Sequence, residues 1–346
     1  MQNLNITDGF EKVNDDLIYY NIQIQGPEDP EKITEARFRE NRTIAIIDNP
    51  SDWIVGIVRF YAPSLYIPIF RWGTQAPESH EDPNLTVYFT FGGVTKSANV
   101  IYVEQSNDTT PTTGRLIWNI TDFIDQVNTA ILTAFNLIKV EGGFPTIKAP
   151  ELVYDANTNL ISLFTEASMR TGNGVKFGMS SLLYSYFPSF NVREDTLLIP
   201  NKFVYFLQIF SNPINNITYG GVPGYRILQE FPTVSLWNGV EKILFSSSTI
   251  PVNEELLQSG TDLRQRVLFD FILSNDQIND RSAINYYNEG GQRWSTMASH
   301  WPLKKLDMEV DILFKGGFTL PLRLNKLDTL TAKLEFRRRG SNLPFF

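Results

Sequence analysis

The sequence of 346 residues contains no cysteine and only two histidines, His80 and His300. The absence of cysteine excludes disulfide bonds, thiolate zinc sites, iron–sulfur clusters and cysteine nucleophiles. Two histidines leave almost no capacity for a metal site built from imidazole ligands. We therefore expect the protein to work without a cofactor.

Charge and long apolar runs are also scarce. Charged residues make up 20% of the chain, and 38 acidic against 30 basic residues give a net charge of −8 at pH 7. This sign argues against a protein that coats phosphate backbones, so we expect no direct contact with nucleic acid. No uncharged apolar stretch approaches the roughly 18 residues of a membrane-spanning helix. The opening residues Met1–Thr7 also lack the basic start and apolar run of a signal peptide.

Aromatic residues are abundant instead. The chain has 25 Phe, 14 Tyr and 6 Trp, together with 22 Gly and 19 Pro. Aromatic side chains favour pleated, half-buried surfaces, whereas Gly and Pro favour turns. With 42% hydrophobic residues the chain can bury a sizeable core. The composition therefore predicts an all-β protein with long loops.

The spacing of apolar residues supports this interpretation. Apolar and polar residues alternate over 85–91, 306–314 and 330–336, which is typical of half-buried strands. Trp53–Tyr61 is apolar on both faces, as expected of a strand that is covered on both sides. About ten to fourteen such segments, spaced by turn signals, predict a β-sandwich.

One segment has helical spacing. Between Thr121 and Ile138 the apolar residues recur every three or four positions and form a single stripe on an α-helix. Thr121 is the candidate N-cap, and Asp122 and Asp125 place negative charge near the positive end of the helix dipole. We expect this one amphipathic helix to lie across an open face or end of a sheet.

Residues that could carry catalysis are few. His300 has no Gly-x-Ser-x-Gly elbow in the sequence to present a nucleophile, so we interpret it as a loop or core residue. Asp307, Glu309 and Asp311 share one face of a predicted strand, and we expect that face to be solvated. The basic clusters 304–305 and 337–339 are expected to be solvated strand ends or contacts with acidic neighbours. The sequence therefore favours a structural or binding protein over an enzyme.

Several segments resemble a known family in both order and content. The chain is similar to the minor capsid (penton) proteins of polinton-type, adintovirus-like and virophage-like elements, which share a Trp…Pro strand, a helix with an Ile-Asn segment and a Tyr-Asp hairpin. The matching segments here are Asp52–Pro63, the strand and helix of 117–138 with Val127 and Asn128, the hairpin of 152–163, Val175–Leu183 and Phe203–Phe206. Phe187–Phe190 departs from the family, which carries a Leu-Gly-Phe segment there.

This resemblance implies a jelly-roll β-sandwich whose function is assembly. Copies would associate with one another, as pentamers rather than trimers, and contact the major capsid protein at the vertices of an icosahedral virion that is assembled inside the host cell. We expect residues 1–45 to form an arm, 46–245 the jelly-roll core with the helix, and 246–346 strands that close the sandwich or form a second β-barrel. The candidate interface residues are Pro63, Tyr66, Phe70, Tyr286, Tyr287, Phe345 and Phe346.

Three other hypotheses remain open from the sequence. A double jelly-roll major capsid protein is compatible with 346 residues. A carbohydrate-binding β-sandwich, such as a spike or adhesin module, could use Trp and Tyr faces to stack sugars. A hydrolase would need two carboxylates that converge in a cleft.

Overall fold

The fold is described from a computed structural model. The chain forms two compact units. The structure describes residues 10–29, 32–64, 67–72, 81–103, 115–140, 143–193, 197–199, 202–212, 214–237, 239–257, 264–273, 283–287, 293–315 and 318–340. The first unit combines residues 1–67 with 239–346, and the second comprises residues 68–238. The second unit is therefore an insertion in the sequence of the first.

Over these residues the secondary structure is mainly β-strand, with two α-helices, α1 (Ile120–Val140) and α2 (Ser181–Tyr184). In chain order the strands are β1 (Phe10–Asn14), β2 (Leu17–Gln25), β3 (Thr34–Glu35), β4 (Arg37–Asn41), β5 (Trp53–Ala62), β6 (Phe70–Trp72), β7 (Glu81–Phe91), β8 (Val94–Ile101), β9 (Arg115–Ile117), β10 (Glu151–Asp155), β11 (Leu160–Glu166), β12 (Lys176–Ser180), β13 (Leu197–Ile199), β14 (Lys202–Phe206), β15 (Asn216–Tyr219), β16 (Val222–Leu228), β17 (Val240–Ser246), β18 (Glu255–Leu256), β19 (Arg264–Gln265), β20 (Val267–Phe271), β21 (Ile284–Tyr287), β22 (Ser295–Thr296), β23 (Lys305–Phe314), β24 (Thr319–Pro321), β25 (Arg323–Leu324) and β26 (Thr329–Arg338). The predicted all-β class is confirmed.

The first unit is a jelly roll. One sheet has the order β1-β2-β26-β5-β21, and the other has the order β20-β17-β23, with β4 and β24 on the far side of β23. When the eight main strands are counted along the chain, the sheets read 1-8-3-6 and 2-7-4-5, which is the arrangement of two interleaved Greek keys. The ring of Phe60 on β5 lies 4.7 Å from that of Phe245 on β17, so the two sheets share one core.

The N-terminal segment differs from the predicted arm. β2 pairs along its whole length with β26, from Leu17 opposite Arg337 to Gln25 opposite Thr329, and Tyr20 is fully buried. The reason is that alternate residues of β2 complete the apolar face of the sheet, although their strand partner lies at the other end of the sequence. Residues 246–346 contribute strands to this same sandwich.

The second unit has a different strand order. Its sheets run β10-β11-β16-β15 and β13-β14-β12-β7-β8, so sequence neighbours such as β7 and β8 are paired as hairpins. Gly92 and Gly93 join β7 to β8 with φ angles of 56° and 83°, a turn that fits the twist of a hairpin and favours glycine. Among the strands that the structure describes, only the first unit has the jelly-roll order. The hypothesis of a double jelly roll is therefore wrong.

Helix α1 belongs to the second unit and packs against strands of both its sheets. It packs against β7, β8 and β10 through a buried stripe that includes Phe123, Val127, Ile131 and Phe135. This arrangement confirms the predicted helix and its sealing role. The predicted cap is two residues off, because the side chain of Asn119, and not that of Thr121, accepts a hydrogen bond from a backbone N–H of the first turn, at 3.0 Å.

One polar side chain fixes the helix to the edge of the second sheet. Asn128 donates from Nδ2 to the carbonyl oxygen of Leu152 and accepts from the N–H of the same residue, both at 2.8 Å. Leu152 lies in β10, which is the edge strand of its sheet. Asn128 therefore satisfies two backbone groups that a neighbouring strand would otherwise bind.

Replacement of this side chain tests its contribution to stability. We expect Asn128→Ala to lower the free energy of unfolding by about 1–3 kcal/mol, because both groups of Leu152 lose their partner. The measurement is urea denaturation followed by circular dichroism. Asn136→Ala is the matched control, since Asn136 is exposed on the same helix and gains the same helix propensity. Equal losses in the two variants would contradict the anchoring role.

Candidate assembly surfaces

Aromatic side chains lie between the two sheets on one side of the jelly roll. β20 and β21 are the edge strands of the two sheets on this side, among the strands that the structure describes. Tyr286 stacks on Phe60 at 5.2 Å with an interplanar angle of 18°, and its ring lies 6.0 Å from that of Phe271. Phe271 and Tyr286 are only half-buried, and burial raises the pKa of the Tyr286 hydroxyl. The core therefore reaches the surface between the two edges.

Exposed side chains extend this surface, which we call the aromatic edge and define as Tyr61, Phe271, Ile272, Tyr286 and Tyr287. Ile272 is 74% exposed and Tyr287 is 66% exposed. Tyr286 points inwards opposite Phe60, so Tyr287 and Tyr61 lie on the outer face of the sheet. A strand edge beside exposed apolar side chains is a surface that soluble monomers rarely leave uncovered.

The other predicted interface residues lie elsewhere. Pro63 follows β5 and is buried. Phe70 is 3% exposed in the core of the second unit, where its ring lies 5.1 Å from that of Phe123, so it cannot face a neighbouring molecule. Its apolar character gave no means of separating a core residue from an interface residue. Tyr66, Phe345 and Phe346 lie outside the described residues.

A second apolar surface lies at one end of the jelly roll. It consists of Ile44, Trp301 and Pro302, which we call the loop tip. Ile44 is 79% exposed and Trp301 is 83% exposed, although the loops that carry them are firmly joined. Ile47 and Leu303 form a β-bridge across the two loops. Sequence analysis missed this surface, since nothing in the local pattern places residues 44 and 301 together.

His300 supports these loops. Its Nδ1 lies 3.1 Å from Oγ of Ser51, and the Ser51 hydroxyl donates in turn to Oδ1 of Asn49 at 3.0 Å. The carboxylate of Asp52 accepts from Asn49 and not from the imidazole ring. Oδ1 of Asn49 also lies 3.3 Å from the same imidazole nitrogen, so Ser51, His300 and Asn49 form a small exposed network that joins the two loops. The interpretation of His300 as a loop residue agrees with this geometry.

Two of the three strand carboxylates are buried, so the prediction of a solvated face is wrong. Asp307 accepts hydrogen bonds from the side chain of Ser247 at 2.6 Å and from the N–H and hydroxyl groups of Thr249 at 3.0 and 2.9 Å. It also accepts from the N–H and hydroxyl of Ser248. Burial alone would raise the pKa of Asp307, but these hydrogen bonds outweigh it and hold the pKa below its ordinary value.

Asp311 is covered by a loop that the sequence pattern did not predict. The hairpin of β18 and β19 places Gln265 over this face, where its side chain donates to Asp311 at 3.1 Å and to Ser246 at 2.8 Å. Burial raises the pKa of Asp311, and the nearby charge of Glu309 adds to the effect. The two buried carboxylates therefore hold a loop in place and do not face each other across a cleft.

In the basic cluster 337–339, Arg337 and Arg338 contact acidic neighbours, as predicted. The guanidinium of Arg337 is buried, lies 2.6 Å from the carboxylate of Glu335 and covers the ring of Trp294 at 5.0 Å. Arg338 lies 3.7 Å from Asp16.

Within the described ranges no group of three His, Asp or Glu side chains is placed to hold a metal ion. None of the helices described is long and apolar enough to cross a bilayer.

The first unit therefore has the jelly-roll architecture, which occurs in viral capsid proteins and in lectins, and the second unit is an insertion in it. Residues 18–338 match the family described as Sputnik minor capsid protein V18/19. The chain belongs to this family. It is therefore a minor capsid protein, a structural component of the virion, and not an enzyme.

Individual relatives agree with this assignment. The chain is 25% identical over 211 residues to structural protein V19 of Sputnik virophage, covering 54% of this chain and 93% of the relative. It is 27% identical over 147 residues to the uncharacterized protein V18 of the same virophage, covering 37% of this chain and 87% of the relative.

Two solved structures share the fold. A chain in the 3.5 Å cryo-EM structure of the Sputnik virophage superposes with a TM-score of 0.77 at 23% identity, over 94% of this chain and 99% of that one. The crystal structure of the mavirus penton protein gives a TM-score of 0.69 at 14% identity, over 93% of this chain and 99% of the penton protein chain. These likenesses include the jelly roll and the insertion, since they span nearly the whole chain.

The buried carboxylates on β23 give a matched pair of variants with opposite expected effects. Asp307→Asn should lower the free energy of unfolding at pH 7 by about 2 kcal/mol or more, because an amide cannot accept all the hydrogen bonds made to the carboxylate. Since the pKa of Asp307 is lowered, this stabilisation is present above the unfolded pKa and is lost as the pH falls through the folded value.

Asp311→Asn should be neutral or stabilising at pH 7, because the raised pKa of Asp311 means that ionisation of this side chain opposes folding. Urea denaturation of both variants is measured at pH 7 and again near pH 3.5, which is below the pKa of about 3.9 of an aspartate in an unfolded chain. The deficit of Asp307→Asn should shrink at the lower pH. A deficit that stays constant with pH would show that the carboxylate charge is not the cause.

Proposed function

We propose that this minor capsid protein forms the vertices of an icosahedral shell, as a closed ring of identical copies that contacts the major capsid protein. The similar fold of the mavirus penton protein supports a vertex position. A ring of five is favoured over a ring of three for the same reason. Membership of a minor capsid protein family supports the second partner, because a minor component of a shell contacts the major one.

The aromatic edge is the observation that carries self-association. Its half-buried rings belong to the core of the jelly roll, and a neighbouring molecule that covers them would extend that core across the interface. Tyr287 and Ile272 supply exposed apolar surface beside two strand edges. Tyrosine is enriched at such interfaces because its ring packs while its hydroxyl remains hydrated.

The geometry of the sandwich suits a ring. A cyclic assembly with more than two members uses two different surfaces of each copy, which meet head to tail. In the first sheet β21 lies at one edge and β1 at the other, so the aromatic edge and the opposite side of the sandwich face in opposite directions. Copies joined side by side in this way can continue around a closed ring.

Substitution on the aromatic edge tests this proposal. Native mass spectrometry of the purified protein should give five times the chain mass of 39.5 kDa. Tyr287→Asp should shift the protein to the monomer, because a charge would be buried in the interface. Ile214→Asp is the control, since Ile214 is apolar and 94% exposed but lies in the second unit, and it should leave the mass unchanged.

Other masses would be informative. A stable mass of three chains would replace the ring of five by a trimer. A protein that stays monomeric at high concentration, with or without Tyr287→Asp, would contradict self-association through this edge. Loss of the oligomer in both variants would show that charge on any exposed apolar residue has the same effect, and the aromatic edge would lose its special role.

A further inference from the structure

We infer that the loop tip of one copy binds residues 343–346 of a neighbouring copy, so that adjacent subunits exchange their C-terminal segments. The inference rests on the proposed self-association and adds a second, separate contact to it. It depends on the exposed loop tip and on the apolar sequence of residues 343–346.

The receptor is the loop tip. Ile44, Trp301 and Pro302 form an apolar surface on loops that are held by the bridge between Ile47 and Leu303 and by the hydrogen bond between Ser51 and His300. An exposed tryptophan on a rigid loop loses little conformational entropy on binding, which is the property of an interface anchor.

The segment that could cover this surface starts beside it. β26 ends opposite Trp53, and the N–H of Arg339 donates to the carbonyl oxygen of Asp52 at 2.7 Å. Asp52 is linked through Asn49 to the loop that includes Ser51. The chain therefore leaves the sandwich at the end that carries the loop tip.

The chemistry of the segment matches the receptor. The residues after Gly340 read Ser-Asn-Leu-Pro-Phe-Phe, so residues 343–346 are apolar throughout. Six extended residues reach about 20 Å beyond Gly340, so the segment can extend past the surface of its own subunit. Contact between this segment and the loop tip would bury apolar surface on both partners, because the leucine, the proline and the two phenylalanines would pack against Trp301 and Ile44.

A neighbouring copy is the favoured source of the segment. Exchange of a short terminal segment between identical subunits costs little, because each copy gives up one segment and receives the same one. Residues 343–346 of one copy would bind the loop tip of the next copy. Each such contact would link two consecutive members of the ring. The same segment bound to its own subunit would leave neighbouring copies unconnected at this end.

The absence of cysteine makes a selective cross-linking experiment possible. One full-length variant carries Lys304→Cys at the exposed base of the tip, and the other carries Asn342→Cys just before the apolar residues. The two variants are co-expressed with different tags, purified together and treated with a short bismaleimide. We expect a covalent heterodimer, and we expect Trp301→Ser to lower its yield by about tenfold, as for loss of an interface anchor.

Two controls use the opposite end of the jelly roll. Lys326→Cys, next to the exposed Leu327 between β24 and β26, should not cross-link to Asn342→Cys. Leu327→Ser should leave the heterodimer yield unchanged, although Leu327 is as exposed as Trp301. Melting temperatures of all variants exclude unfolding as the cause of a lower yield.

Native mass spectrometry of the same mixtures separates this inference from the proposed function. A ring that forms without a heterodimer overturns the exchange and leaves self-association intact. A third variant that carries both cysteines and cross-links only within its own chain, with none between chains, also overturns it. A monomer that gives no heterodimer contradicts both proposals. A heterodimer that depends on Trp301 but not on Leu327 supports the exchange.

Discussion

The pairing of β26 with β2 and β5 is the interaction on which the rest of the first unit depends. β26 lies between strands from near the start of the chain, and its ladders hold both in one sheet. Because these contacts join distant parts of the sequence, the jelly roll closes only when the last strand is in place. The position of the aromatic edge and of the loop tip follows from that closure.

The insertion is compatible with this closure because it is a unit with its own core. The chain leaves the jelly roll after β5 and returns at β17. Helix α1 supplies the apolar face that the second unit's sheets pack on, and Asn128 satisfies the free edge of β10. A self-contained insertion between two strands changes neither sheet of the jelly roll, so a capsid protein can carry an additional unit without altering its shell-forming sandwich.

The outer face of the second jelly-roll sheet shows how polar residues stabilise a protein with little catalytic chemistry. Asp307 and Asp311 lie in β23 four residues apart, and each contacts a loop that folds over the sheet. Their pKa values move in opposite directions because Asp307 accepts several hydrogen bonds whereas Asp311 has one side-chain donor. Carboxylates in such positions fix loop geometry, which a subunit that must fit its neighbours requires.

The sequence by itself determined the class of the fold, the amphipathic helix, the hairpins and the resemblance to minor capsid proteins, because each depends on spacing within a short segment. It also indicated Tyr286 and Tyr287 as surface candidates, and the structure places both at the aromatic edge. Only the tertiary structure decided that β2 is a core strand and that Phe70 and Asp307 are buried. It alone brought Ile44 and Trp301 to one tip. Burial and contact between distant segments depend on which strands pair, and local periodicity does not encode the partner of a strand.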